Sequence, residues 1–547
     1  MDLQSEIARL IKGDVLNDPA TRKFYSRDTS IFERTPTAVV FPKNADDVSA
    51  VVRFAHAAKL KGEEVSVTAR SAGTDMTGGP LTNSIALVFT KYMNRILGVE
   101  RDSARAEPGV FYRDFEKSTL AKSGHLLPSF PASREICALG GMIGNNAGGE
   151  MTLQYGKTNC YVQELDVVFS DGSRAILEPL SADTLAQKKS LQTFEGDIYR
   201  KTHALLEQNR SMIEAARPRV SKNSAGYALW DIERNGIFDL TQLIVGSQGT
   251  LALVTEASLR LIKPKEHRAM LVIFLSDIKT LPDIVHRVLK FEPESFESYD
   301  NHTFRLAVRF FPQIVRHAGA AKVLSLALSF TSEVWMILTG GVPKLVLLAE
   351  FAEHTLQEAQ AKAHAALGAL HNLPVRTKIA GSETASEKYW AIRRESFSLL
   401  RQNLHGLYAA PFIDDIVVPP DVYPQFLPEL TAILEEHKLL YTIAGHVGEG
   451  NFHIIPLMDL GSPEARREIL ELTPKVYKLV AKYKGSITGE HNDGIIRTPY
   501  LPLMFEPQMI ELFAEVKKIF DPLNILTPGK KVGVTLADLK DSMIRSS

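Results

Sequence analysis

From Thr37 to Pro264 short β-rich runs, "TAVVFP", "SIALVFT", "ELDVVFSDGSRAILEP" and "TQLIVGSQGTLALVTEASLRLIKP", alternate with glycine turns and helix-like text such as "NADDVSAVVRFAHAAKLKG". Runs this short must find their pairing partners elsewhere in the chain, and the amphipathic helices between them need a sheet to cover. The pattern therefore predicts an α+β domain over residues 1–264. Asn44, followed by Asp46 and Asp47, marks the start of one of its helices. After Pro264, "HRAMLVIFLS" precedes "DIKTLPDIVHRVLKF", and "PKLVLLAEF" precedes "AEHTLQEAQAKAHAALGAL". Two strand-then-helix units predict a second α+β domain over 265–460, leaving 461–547 as a closing segment.

An apolar insertion, 301–341, separates the two units. Its first half carries Arg305, Arg309, Arg316 and Lys322 without an acid, while the second, "VLSLALSFTSEVWMILT", is too short and too polar to cross a bilayer. A basic, aromatic-rich segment suits an anionic membrane surface. A helical hairpin packed on the second domain, or at a homodimer interface, fits the same pattern.

At 547 residues, 45% hydrophobic and 23% charged, the chain can bury more than one core. Its formal net charge of -1 lacks the basic footprint of a nucleic-acid binder. Two cysteines, Cys137 and Cys160, can build neither a disulfide framework nor an iron–sulfur cluster. The opening "MDLQSEIARLIKGD" reads as a helix rather than a signal peptide, so the expected location is cytoplasmic, on the inner face of the membrane if the insertion binds lipid.

Chemistry first shows in "GHVGEGNFH", Gly445 to His453. A two-residue turn at Glu449 and Gly450 would set His446 directly opposite His453, with Cβ atoms about 4.5–5.5 Å apart, within reach of one ion. "GEHNDG", after the β-like "KGSIT", supplies Glu490 beside His491. Two histidines and a glutamate with an open position suit Zn²⁺ or another divalent transition metal. Elsewhere "TARSAGTDMTGG" follows the run "EEVSV", and a strand entering a small-residue loop lets backbone N–H groups approach a diphosphate. It matches neither the Gly-x-Gly-x-x-Gly fingerprint nor a Walker loop. Three further stretches share its character: "EPGV", "FPASREICALGGMIGNNAGG" and "IVGSQGTLALVTEA".

Taken in order, these motifs resemble the flavin-linked oxidases of the vanillyl-alcohol oxidase (PCMH-type) superfamily, and within it the D-lactate, glycolate and D-2-hydroxyglutarate dehydrogenase group. The resemblance implies a two-part FAD-binding domain, a cap over the flavin and a C-terminal segment, ending "FDPLNILTPGKK", that returns to the FAD domain. It implies that Arg70, Ser71, Ala72, Gly73 and Thr74 wrap the FAD diphosphate. Pro108, Gly109, Pro131, Ser133, Gly140, Gly141, Asn145 and Gly149 would line the rest of the cofactor, and Gly246, Ser247, Gly249 and Thr250 its adenine side. Relatives that bond FAD covalently from the first loop carry histidine where Thr74 stands, so the cofactor is expected to be non-covalent. Gln248 replaces the usual glutamate, Asn492 and Asp493 replace small residues, and Thr527 stands where asparagine is usual.

By the same resemblance His446, His453 and Glu490 bind the metal and His491 is the catalytic base. Arg393, in "YWAIRRES", would clamp the substrate carboxylate and Asn451 would be a second donor; an alternative is a surface arginine paired with Glu387 or Glu395. The implied reaction is oxidation of a D-2-hydroxy acid with FAD as hydride acceptor, and quinone or a separate electron-transfer protein as oxidant. D-lactate is favoured because Ile413 stands where D-2-hydroxyglutarate enzymes carry a lysine. The alternatives are a flavin alcohol oxidase of the same superfamily and a non-catalytic FAD-binding subunit.

Overall fold

The computed structural model describes residues 3–301, 342–380, 385–393, 406–437 and 439–545. Asn44 caps the helix Ala45–Leu60 by accepting from the Asp47 N–H, and Val48, Val51, Val52, Ala55 and Ala58 form its buried face. That face covers a sheet ordered Asp14–Leu16, Ala38–Phe41, Ile85–Val88, Val67–Arg70, whose last three strands are parallel. A second, antiparallel sheet runs Ile96–Val99, Ser103–Ala106, Leu253–Arg260, Val162–Val168, Arg174–Leu177. The run "TQLIVGSQGTLALVTEASLRLIKP" does not stay extended. Thr241–Ile244 is a short helix, and Gly246, Gln248 and Gly249 take φ of 87°, 53° and 70°, which no strand can hold, before the strand begins at Leu253.

Past Pro264 both strand-then-helix units form. Their strands, His267–Leu275 and Leu345–Glu353, pair antiparallel along their full length. Among the described residues they belong to an eight-stranded antiparallel sheet that also contains Ser295–Asp300, Leu440–His446 and Asn451–Met458 as successive neighbours. Alternation splits the sheet's two faces. Leu271, Ile273 and Leu275 join the core with helices Leu281–Leu289 and Leu356–Ala369, while Met270, Val272 and Phe274 pack with Tyr389 and Trp390 of the helical stretch 385–393. "KGSIT" is not a strand, since only Ser486 bridges, to Val417.

The closing segment visits both parts. Helix Pro463–Lys482 lies on helix Tyr423–Glu436 of the cap, whereas helix Pro507–Phe520 packs on Phe194–Ala216 and on Tyr227. The tail then reaches the first sheet, where Val67 donates to Ile525 O and Thr527 donates to Val67 O. Residues 302–341 of the insertion lie outside the described residues.

Candidate active site

A cavity of about 910 Å³ lies between the glycine loops and the inner face of the cap sheet. One wall comes from Ser71, Ala72, Gly73, Thr74, Pro108, Pro131, Ser133, Gly140, Gly141, Asn145, Ser247 and Gly249, all expected from sequence. From Ser71 to Met76 no backbone N–H is donated to another described residue, which leaves a row of donors for an anion. A Cβ on Gly141 would meet only Ser71 Cβ, at 4.0 Å, so it would project into the cavity. Ser247 Oγ is buried there without a partner. Free N–H groups, missing side chains and an orphaned hydroxyl fit the diphosphate-bearing FAD.

Five expected cofactor residues stand behind this wall instead of in it. Arg70 turns back under the loop and donates to the Tyr25 and Arg27 carbonyls. Gly109 and Gly149 are glycines because backbone presses on them: a Cβ would lie 2.5 Å from the Phe89 carbonyl and 2.3 Å from the Phe130 carbonyl. Gly246 supplies a positive φ beneath Asn146 and Asn492, and the Thr250 hydroxyl is engaged by Tyr227 and Ser247. Their contribution to the site is the shape of the loops.

The opposite wall carries the histidines. The turn is one of four residues, Val447–Gly450, so His446 pairs with Asn451 and His453 with Ala444, in place of the direct His446–His453 pair that a two-residue turn would give. The register moves by two residues, which preserves the face. The two rings therefore still meet, with centroids 5.3 Å apart, and His453 stacks on His491 at the same distance. His446 Nε2 lies 3.4 Å from Glu490 Oε1 and His453 Nε2 lies 3.9 Å from Glu490 Oε2. Both Nδ1 atoms are turned outward and held by buried carboxylates, His446 by Glu297 at 2.6 Å and His453 by Asp414 at 3.0 Å. Two imidazoles oriented by carboxylates, with their free nitrogens facing a third carboxylate, form a donor set that could hold a divalent transition metal.

Several supporting residues escaped the sequence reading. Asp415 accepts from the backbone N–H groups of Gly489, Glu490 and His491, from the Thr488 hydroxyl and from the Asn451 amide, and so shapes the whole loop. Asn451 consequently points its amide at Asp415 and the Ile416 carbonyl, away from the cavity, so it supports the turn where a substrate donor was expected. Asp414 also contacts His491 Nδ1 at 2.9 Å, off the line of a straight hydrogen bond. Burial pushes the His491 pKa down, but the charges of Asp415 and Asp414 outweigh it and raise the value to about 9. Lys222, wholly buried, bridges Glu490 and Glu449 at 2.5 Å each. Arg393 donates through Nε to Glu297 Oε2 at 3.2 Å, with Nη2 at ion-pair distance, 3.2 Å, from the same oxygen, and does not donate to Glu387; Glu395 lies outside the described residues. The signal for Glu297, Asp414 and Asp415 was acids inside apolar runs, "PFIDDIVV" and "ESFESYD", which a core tolerates only when they are paired.

Two family models match, "FAD binding domain" over residues 36–177 and "FAD linked oxidases, C-terminal domain" over 264–531, and together they span most of the chain. The chain belongs to the FAD-linked oxidases. Among relatives, the D-2-hydroxyglutarate dehydrogenase of Escherichia coli is 31% identical over 540 residues, covering 95% of the chain. The chain spans about half the length, 50%, of that relative. A D-lactate dehydrogenase of Archaeoglobus fulgidus is 25% identical, covering 90% of the chain and 91% of the relative. The solved 4-ethylphenol oxidase of Gulosibacter chungangensis is 16% identical with a TM-score of 0.68, covering 97% of both chains, and so shares the two-domain PCMH-type fold.

Proposed function

We propose that this FAD-linked oxidase oxidises a D-2-hydroxy acid to the 2-oxo acid. The observation that carries the reading is convergence: Arg393, the His446, His453 and Glu490 cluster and His491 all face one cavity whose other wall is the flavin cradle. When bound, FAD supplies a two-electron acceptor, and a divalent metal, Zn²⁺ in our reading, supplies Lewis acidity at the substrate oxygen. Thr74 leaves the flavin non-covalently held. Arg393 has one edge on Glu297, so its Nη1–Nη2 edge takes the substrate carboxylate in paired hydrogen bonds. His491, with Nδ1 toward Asp414, presents Nε2 to the hydroxyl and takes its proton as the C–H hydride leaves.

Within the class we favour D-lactate. Ile413 is wholly buried in the core, and among the described residues the arginines and lysines lining the cavity are only Arg393 and Arg134, the latter bonded to Glu116. The recurrence of D-2-hydroxyglutarate dehydrogenases among the relatives supports a second reading, with that diacid as substrate. The oxidant is quinone or an electron-transfer protein; no helix among the described residues is long and apolar enough to cross a membrane.

Anaerobic addition of D-lactate, L-lactate, glycolate and D-2-hydroxyglutarate to the purified flavoprotein, with and without chelator, tests the reading. Bleaching by a D-hydroxy acid, lost with chelator and restored by Zn²⁺, is the expected result. A flavin that none of them bleaches sinks it.

A further inference from the structure

Glu297 lies in the strand Ser295–Asp300, with its side chain on the same face as Tyr299, and is 1% exposed. Its two oxygens serve two different residues. Oε1 accepts from His446 Nδ1 at 2.6 Å, and Oε2 accepts from Arg393 Nε at 3.2 Å and forms an ion pair with Nη2 at 3.2 Å. These two partners come from distant segments, one from the end of strand Leu440–His446 and the other from the helical stretch 385–393, and in our reading they handle opposite ends of the same substrate. The bond to Nδ1 fixes the ring so that Nε2 points at Glu490, and the bond to Nε with the ion pair at Nη2 holds the guanidinium at the cavity wall.

We propose that Glu297 is a positioning residue shared by the metal site and the carboxylate clamp, setting the distance between the point that receives the substrate's oxygen and the point that receives its carboxylate. The proposal rests on the functional reading of His446 and Arg393 given above. A glutamine fills the same volume but has one acceptor oxygen and an NH₂ group, so it can accept from only one of the two partners and turns a donor toward the other. Carboxylates that hold metal-ligating histidines typically contribute about 10–100-fold to metal affinity.

The test uses full-length, FAD-loaded protein with Glu297→Gln, Arg393→Ala and the double variant, titrated with Co²⁺ by its visible absorption and with D-lactate by anaerobic flavin bleaching. In Glu297→Gln we expect a loss of about tenfold or more in Co²⁺ affinity and a rise in the half-saturating D-lactate concentration. In the Arg393→Ala background the glutamine should add little further to that rise, because Glu297 acts on the carboxylate through Arg393. A residue that merely stabilised the fold would add its full effect in both backgrounds. Unchanged Co²⁺ affinity and half-saturation in Glu297→Gln overturn the proposal while leaving the oxidation reading intact. If no hydroxy acid bleaches even the unmodified protein, the oxidation reading fails, and the Co²⁺ titration alone decides whether Glu297 positions His446.

Discussion

The wall that cradles the flavin draws Ser71 to Thr74 and Ser247 from two loops and Gly140 and Gly141 from the short helix Leu139–Asn145, all with small or missing side chains. The facing wall takes Arg393, His446, His453, Glu490 and His491 from four separate segments and braces them with buried charge. The first binds with backbone and needs room; the second works with side chains that must be aimed, and each aim requires a buried partner. Errors in the two walls should therefore read out differently. Damage to the flavin wall should cost cofactor with chemistry intact in the molecules that keep it, and damage to the histidine wall should leave a yellow protein that cannot turn over.

Replacing His491 with alanine should have the largest effect. We expect flavin reduction by the hydroxy acid to slow by about 10²–10⁴-fold, with the bound-flavin spectrum unchanged; stopped-flow bleaching measures it, and normal turnover would remove His491 from the mechanism. The same residue makes this wall sensitive to pH. Only neutral imidazole can accept a proton, and the neighbouring aspartates raise the His491 pKa to about 9, so the reduction rate should climb as pH rises toward that value. A dication bound beside the ring disfavours its protonation, so adding metal should move this limb to lower pH.

Next comes Lys222. Burial lowers its pKa, but Glu449 and Glu490 more than reverse this, and the ammonium is the counter-charge both carboxylates share. Lys222→Met leaves two buried acids facing each other, a loss of about 3–5 kcal/mol. Thermal melts with and without Zn²⁺ would sharpen the contrast between the walls: a cation at Glu490 replaces part of the missing charge, so metal should recover more stability in the variant than in the parent. Equal recovery would separate Lys222 from the metal site.

The flavin wall was the more legible in sequence because its chemistry is local. A glycine loop is contiguous, and a reader who sees "TARSAGTDMTGG" sees most of one cradle. Sequence does not say which residues of such a stretch face inward: Arg70 in this loop, and Gly109 in "EPGV", act from behind the surface. The histidine wall was legible only in Arg393, His446, His453, Glu490 and His491. Glu297 stands 149 positions from His446, and Asp414 stands 39 from His453, so no local pattern pairs them. The hairpin was misregistered by two residues because Val447–Glu449 makes a 3₁₀ turn that alternation alone cannot reveal, and the parity of the strand protected the conclusion from the mistake.

Gly141→Ala probes the flavin wall. The new methyl meets no side chain closer than 4.0 Å, so the thermal midpoint of the FAD-free protein should hardly move. With FAD seated against that surface, overpacking costs about 1–3 kcal/mol, and cofactor affinity should fall accordingly, as measured by flavin fluorescence on dilution. Unchanged retention would mean that the flavin does not approach Gly141.

The smallest effect is expected at a buried residue that ties the two walls together from behind. Asn492 holds φ at 73°, donates its amide to the Gly246 carbonyl at 2.8 Å and accepts from Lys531 at 2.6 Å, so it ties the His491 loop to the flavin loop. Glycine at this position relaxes the backbone and at the same time removes these bonds, along with those to the Asn145 carbonyl and from the Asp493 N–H. If the walls are coupled through this side chain, Asn492→Gly should weaken FAD retention and Co²⁺ affinity together by a similar small factor. If only one of them changes, the two walls are independent modules that share a cavity, and the tie is no more than local packing.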